Sequence, residues 1–224
     1  MHPSLAAFLQ LVKNNMDIEF GKLKREEMKA AVEIASRAYQ DYAYVALYFP
    51  DDEERRRGLH AFMNCVMKSN FGRADLLAAR LEGRLVGRAT LEGPDYRPPT
   101  FWQSLVNDGW KVYFAANWKN VNGYLAMDEE ACKPCLDYQK TNLGVWYLSM
   151  FEVDPLFQGQ GIGTQFLTYQ EDYVRQRGGS EMVLFTNSEE NLRFYTRRGY
   201  EVFHACEIEH DGRKVGSWSL KKTL

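Results

Sequence analysis

Gly159, Gly161 and Gly163 stand at alternate positions of Gln158-Gly159-Gln160-Gly161-Ile162-Gly163, between the apolar run Trp146 to Val153 and the segment Thr164-Gln165-Phe166-Leu167. The run has the length and composition of a buried strand, and the segment after the glycines reads as a helix start. Such a turn suits an anion. Residues without Cβ let the backbone approach closely and take dihedrals that other residues avoid, and the first N–H groups of the helix point outward along its dipole. The expected ligand is a pyrophosphate.

Two other phosphate loops fail on spacing. A P-loop needs Lys after its last glycine, and Thr164 follows Gly163 here, so the side chain that reaches the terminal phosphates is missing. A dinucleotide fingerprint needs Gly-x-Gly-x-x-Gly, whereas this chain has Gly-x-Gly-x-Gly. Downstream, Met182 to Thr186 reads as a short strand. Glu189-Glu190-Asn191-Leu192-Arg193-Phe194-Tyr195-Thr196-Arg197-Arg198 reads as a helix, with Gly199 as its stop.

Gln-x-x-Gly-x-Gly after Val153-Asp154-Pro155 closely resembles the acyl-CoA loop of the GNAT acyltransferases. Asn191-x-x-Phe194-Tyr195-x-x-x-Gly199-Tyr200 resembles the pattern on the helix after the second CoA-side strand of that family. Two motifs at the separation of one βαβ unit are stronger together than either alone. Ala38-Tyr39-Gln40-Asp41-Tyr42 and Tyr48-Phe49-Pro50-Asp51-Asp52-Glu53-Glu54-Arg55-Arg56-Arg57 are similar to the N-terminal region of the puromycin N-acetyltransferase-like group. The likeness runs over about residues 18 to 204 and is strongest in 146 to 203.

The resemblance implies a mixed α/β fold of GNAT type: a central mixed, twisted sheet flanked by helices, with a helical insertion between strands 3 and 4. It implies an enzyme that transfers acetyl from acetyl-CoA to a primary amine of a small molecule by direct attack. Gln158, Gly159, Gln160, Gly161, Ile162, Gly163 and Thr164 would hold the pyrophosphate. Asn191 and the backbones of Phe151 and Val153 would orient pantetheine, as an added strand does. An acyl-CoA sensor without catalysis and a protein N-acetyltransferase are the alternatives.

By the same resemblance Tyr195 is the general acid that protonates the departing sulfur. Unperturbed tyrosine and thiol pKa values, about 10 and 8.5, are near enough for proton transfer. Packing beside Phe194 and Leu192 on the apolar helix face is the other reading of Tyr195, and the two are compatible. An alkylamine of pKa about 10.4 is neutral about once in 2,500 molecules at pH 7, a handicap of roughly 4.6 kcal/mol, so a base is needed. The strand positions where relatives carry a base fall on Tyr147 and Ser149. Glu152 is the one carboxylate of that strand and the candidate base, yet strict alternation puts it on the opposite face. A bulge would restore it, and water relayed through Tyr147 and Ser149 is the alternative.

Bulk properties fit a soluble cytoplasmic enzyme forming a single domain over 1–224, as monomer or homodimer. The chain has 224 residues, 45% hydrophobic, enough for one large core. A net charge of −2 gives no electrostatic reason to expect nucleic acid or an anionic membrane. Arg55-Arg56-Arg57 follows the acidic Asp51 to Glu54 and reads as the solvated face of a helix. Leu5 to Val12 is too short for a convincing signal peptide. Cys65, Cys132, Cys135 and Cys206 are too scattered for a disulfide scaffold, and Cys132-Lys133-Pro134-Cys135 reads as free thiols rather than a metal site.

The remaining periodicity places a first strand at Asp17 to Gly21 and helices over Arg25 to Tyr44 and Glu53 to Ser69. A hairpin, Asp75 to Leu81 and Leu85 to Leu91, turns around Glu82-Gly83-Arg84. Residues 100 to 141 have helical period and read as two helices. Their aromatics Phe101, Trp102, Trp110, Tyr113, Phe114, Trp118 and Tyr124 either line the acceptor pocket or pack the insertion onto the core.

Overall fold

The computed structural model describes residues 17–210 and 212–224; the segment Leu5 to Val12 lies outside them. One seven-stranded sheet runs β1-β2-β3-β4-β5-β7-β6. It is built from β1 (Ile18–Lys22), β2 (Asp75–Leu81), β3 (Arg84–Glu92), β4 (Val145–Val153), β5 (Glu181–Thr186), β6 (Glu201–His210) and β7 (Arg213–Thr223). Every neighbouring pair is antiparallel except β4 with β5. That parallel pair needs a crossover, which α7 (Ile162–Arg175) supplies.

Both faces of the sheet are covered, and the strands alternate between two cores. Leu76 and Ala78 of β2 pack with Ala31, Val32 and Ala35 of α1 (Met28–Tyr39) and with Leu59, Met63 and Met67 of α3 (Asp52–Asn70). Leu77 and Ala79 pack on the other side with Ile162, Phe166 and Val174 of α7. α8 (Glu189–Thr196) adds Tyr195 to this second core. β7 lies between β5 and β6, so β6 and not β7 forms that edge of the sheet.

The helix expected over Arg25 to Tyr44 is broken. It ends at Tyr39, Tyr42 is extended (φ −71°, ψ 127°), and α2 (Ala43–Tyr48) restarts it. The break turns Tyr42 toward β5, where its hydroxyl lies 2.8 Å from Thr186 Oγ1 and accepts from the Asn187 N–H at 3.0 Å. A tertiary hydrogen bond to a single ring overrides the helical period there.

The insertion also departs from the two-helix expectation. It comprises α4 (Phe101–Ser104), a kinked turn at Leu105–Gly109 in which Asp108 has φ +73°, α5 (Trp110–Ala115) and α6 (Trp118–Thr141). Phe101, Trp102, Trp110, Tyr113, Phe114 and Trp118 are between 46% and 84% exposed, so they are not packed into the core, and they line neither the cleft beside β4 nor the cavity that adjoins it. Tyr124 is the exception, buried against Tyr44 and Phe49. No helix among the described residues is long and apolar enough to cross a membrane.

Candidate active site

β4 and β5 pair only through Val145, Trp146 and Tyr147, opposite Glu181, Met182 and Val183. Both strands continue, to Val153 and Thr186. Beyond Tyr147 they diverge, and every second backbone N–H and C=O of β4 faces the opening rather than a partner strand. A cleft of about 730 Å³ fills this wedge. It is lined at one end by the glycine loop and at the other by Ser149, Met150, Tyr39 and Tyr42.

The loop is held open by local geometry. Asp154 caps the turn Pro155–Phe157 and is tied to α1 by an ion pair with Arg37 at 2.8 Å. Gln158 donates from Nε2 to Val153 O at 3.1 Å. Gly159 and Gly161 have φ of +74° and +84°, with open space where a Cβ would sit. Backbone handedness therefore dictates glycine at these two positions. Gly163 differs from the expectation: it lies inside α7, and a Cβ there would meet Val153 Cγ2 at an ordinary 3.7 Å. The first intrahelical bond of α7 runs from Gln165 N to Gly161 O, which leaves the amides of Ile162, Gly163 and Thr164 for a ligand. Arg198 stands over that helix end. Its Nη2 donates to Thr164 Oγ1 and Nη1 to Phe194 O, and its guanidinium lies 3.7 Å above the Phe194 ring. A cation beside a helix N-terminus suits a diphosphate better than amides alone.

Of the residues expected at the site, Phe151, Glu152, Val153, Gln158, Gly159, Gly161, Ile162, Gly163, Thr164, Asn191 and Tyr195 line the cleft; Gln160 does not. Asn191 sits in the first turn of α8, its N–H bonded to the cap Ser188 Oγ at 3.3 Å. Arg198, Arg37, Tyr39 and Tyr42 line it as well; in the sequence Tyr39 and Tyr42 stand out only as part of the N-terminal likeness, and none of the four is expected at the site. Arg198 resembles an ordinary C-terminal helix cation, and the other three come from α1 and the break that follows it, far away in the chain.

Tyr195 packs edge-on against Phe194 and Tyr200, so it belongs to the core and to the cleft at once. Burial, with Tyr42 and Glu152 adding to it, raises its hydroxyl pKa. The proton stays on at neutral pH, as a donor requires, but the match with a thiol is poorer than unperturbed values suggest.

A bulge settles the parity of β4. Thr90 opposes Met150 and Leu91 opposes Leu148, so Ser149 is the extra residue. Trp146 and Leu148 belong with Phe151 and Val153 to the α7 core, whereas Met150 packs against the α1 core. Glu152 is therefore on the face of Tyr147, not opposite it. Its Oε1 accepts from Arg88 Nη2 at 2.9 Å, while Oε2 has no hydrogen-bond partner among the described residues. Burial pushes the carboxyl up to about 7 against the opposing pull of Arg88 and Tyr39. A second cavity, of about 560 Å³, meets the cleft at Tyr39, Tyr42, Ser149, Met150 and Phe185.

Cys132 and Cys135 lie on α6, with Pro134 between them in the helix, and burial pushes both thiols up to about 12. No group of three His, Cys, Asp or Glu side chains that could hold a metal occurs among the described residues.

Comparison with known proteins bears on this geometry. The sequence model of the Acetyltransferase (GNAT) family matches residues 30–200. No curated protein matches the chain. Among solved structures, an agmatine N-acetyltransferase in its apo form superposes with a TM-score of 0.60 at 16% identity, covering 93% of this chain and 100% of that one. A GCN5-related N-acetyltransferase from Rhodopseudomonas palustris gives 0.56 at 16% identity, with coverages of 93% and 98%. The PaiA N-acetyltransferase from Thermoplasma acidophilum, determined with coenzyme A, gives 0.53 at 15% identity, with coverages of 93% and 100%.

Proposed function

The chain belongs to the acetyltransferase (GNAT) family, and from that premise we propose that it transfers acetyl from acetyl-CoA to a primary amine of a small molecule by direct attack, as a single cytoplasmic domain. One observation carries the reading. The wedge between β4 and β5 leads without interruption from the amides of the glycine loop, past the unpaired edge of β4, to Tyr195.

The diphosphate rests on the amides around Gly159 to Thr164, with Arg198 supplying charge. The pantetheine amides pair with the β4 edge at Phe151 and Val153 while Asn191 faces them. The thioester then lies where the cleft meets the second cavity, and the amine arrives from that side. Its nitrogen attacks the carbonyl carbon, and the proton it sheds goes to Glu152, near which Tyr39 forms the wall. The tetrahedral adduct collapses with cleavage of the carbon–sulfur bond, and the sulfur takes the Tyr195 proton. Turnover closes when solvent carries a proton from Glu152 back to Tyr195. Positioning supplies most of the rate, with proton transfer adding roughly 10² to 10⁴-fold.

Free-thiol release is the test, followed with acetyl-CoA and a panel of primary amines in the parent and in Tyr195→Phe. Acetylation of at least one amine, lowered in the variant, is expected. Binding of acetyl-CoA without thiol release for any amine replaces the enzyme by an acyl-CoA sensor.

A further inference from the structure

The second cavity contains two acids that no cation neutralises. Glu92, at the end of β3, is 8% exposed and lines it. Its backbone carbonyl accepts from Gln139 Nε2 at 2.8 Å, which fixes it under α6, and its carboxyl has Ser149 as a hydrogen-bonding neighbour. Asp128 reaches in from α6 and accepts from the Tyr44 hydroxyl at 3.3 Å. Neither carboxylate forms an ion pair among the described residues. Burial of such groups without a cation is costly unless a ligand supplies one.

Much of the wall is aromatic, with Met63, Val66, Pro94 and Leu136 among its apolar remainder. Tyr42, Tyr44, Tyr96, Tyr124 and Tyr147 line it. Their hydroxyls are partly committed: Tyr44 lies 2.9 Å from Tyr124, Tyr96 donates to Asn70 at 2.6 Å, and Tyr42 meets Thr186. Tyr44 and Tyr124 are stacked face to face, so the cation-attracting surface is the hydroxyl oxygens at the ring edges together with the faces of the other tyrosines. Arg97 and Lys140 also line the cavity; Lys140 is turned to solvent with Asp137 at 3.7 Å, and Arg97 is bonded to the Tyr96 carbonyl. Cys132 is kept a neutral thiol by burial.

Building on the acetyltransferase reading, we infer that the Glu92–Asp128 cavity selects acceptors bearing a second cationic group, so that the substrate class is diamines or guanidinoalkylamines rather than monoamines. Because Ser149 lines both cavities and neighbours Glu92, one amine of such a molecule reaches the thioester while its other cation lies among the acids and rings. Burial, with repulsion from Asp128 added, pushes Glu92 up to about 7, and burial pushes Asp128 up to about 6. A cation between them restores both charges.

The test compares an α,ω-diaminoalkane and a guanidinoalkylamine with a monoamine of equal chain length. Parent kcat/KM should favour the dications by about 100-fold, expressed in KM, since one charge-assisted contact contributes roughly 10- to 100-fold. In Glu92→Gln/Asp128→Asn that ratio should fall below about tenfold, with heat of acetyl-CoA binding reporting an intact fold. Calorimetric titration of the CoA-saturated parent with each amine separates this claim from the enzymatic one. Dications that bind without being acetylated support the inference and refute the transfer reaction. Monoamines acetylated as efficiently as dications, or dications that neither bind nor react, overturn the inference.

Discussion

Glu152 carries the most exacting prediction, because two of its properties are fixed by position. It is sealed beside Arg88, and burial holds its carboxyl at about 7 rather than near the usual 4.5. A base must be ionised to work, so its active fraction is about one half at pH 7, about 9% at pH 6 and about 1% at pH 5. The amine adds its own requirement, gaining roughly tenfold in neutral form per pH unit up to about 10. With a monoamine acceptor, log kcat/KM should therefore climb with a slope of about 2 below pH 7 and about 1 above it. In Glu152→Gln the slope should be about 1 throughout, and kcat at pH 8 should drop by roughly 10² to 10⁴-fold. Removing the carboxylate also leaves Arg88 buried with less compensation, a cost of about 3–5 kcal/mol in comparable cases. Acetyl-CoA binding should be confirmed before the slopes are read. A break near pH 7 that survives in Glu152→Gln would refute the assignment, because the titrating group would be another.

Tyr195→Phe should lower kcat by roughly 10² to 10⁴-fold while leaving the KM for acetyl-CoA within about twofold, since the ring remains and only the proton is lost; steady-state thiol release checks it. Gly161→Val forces a branched residue to φ +84° and should weaken CoA binding by roughly 5- to 30-fold, the equivalent of about 1–2 kcal/mol, measured by calorimetry. Arg198→Ala should weaken CoA more at low salt than at high salt, because its contribution is charge on diphosphate; equal losses at both would contradict it. Glu92, Glu152 and Asp128 all have pKa values raised on folding, to about 7, 7 and 6. Their stabilisation is complete below the unfolded carboxylate values and is lost as pH rises through 6 to 7. Asp108 and Glu27, whose pKa values are lowered, act below about pH 4.5. The apo Tm should therefore fall between pH 5 and 8, and the fall should be smaller in Glu92→Gln.

The βαβ half of the fold was readable because its signals are local. Glycines at two left-handed positions, the helix stop at Gly199 and the continuous apolar run of β4 each act within a few residues of themselves. A bulge in β4 is one alternative that the sequence leaves open, but its presence at Ser149 cannot be decided from the strand itself. It changes the facing of Glu152 through pairing with β3, more than fifty residues away in the chain. The break at Tyr42 depends likewise on Thr186 and Asn187. Arg198 was passed over because a basic residue before Gly199 is what any helix end prefers. The acidic cavity joins Glu92 of β3 to Asp128 of α6, and nothing local marks two such carboxylates as neighbours. The insertion misled in the other direction: its aromatic content suggested a pocket wall, yet six of its rings face outward.

In the proposed reaction the backbone amides at the start of α7 hold the diphosphate of coenzyme A. Amide resonances of a ¹⁵N-labelled sample, followed while coenzyme A is titrated in, test it directly. The largest shifts should fall on Gly159, Gly161, Ile162, Gly163 and Thr164, followed by Phe151 and Val153, with 3′,5′-ADP reproducing only a part of the loop response. Saturable binding that leaves those loop amides unmoved would mean that the diphosphate sits elsewhere.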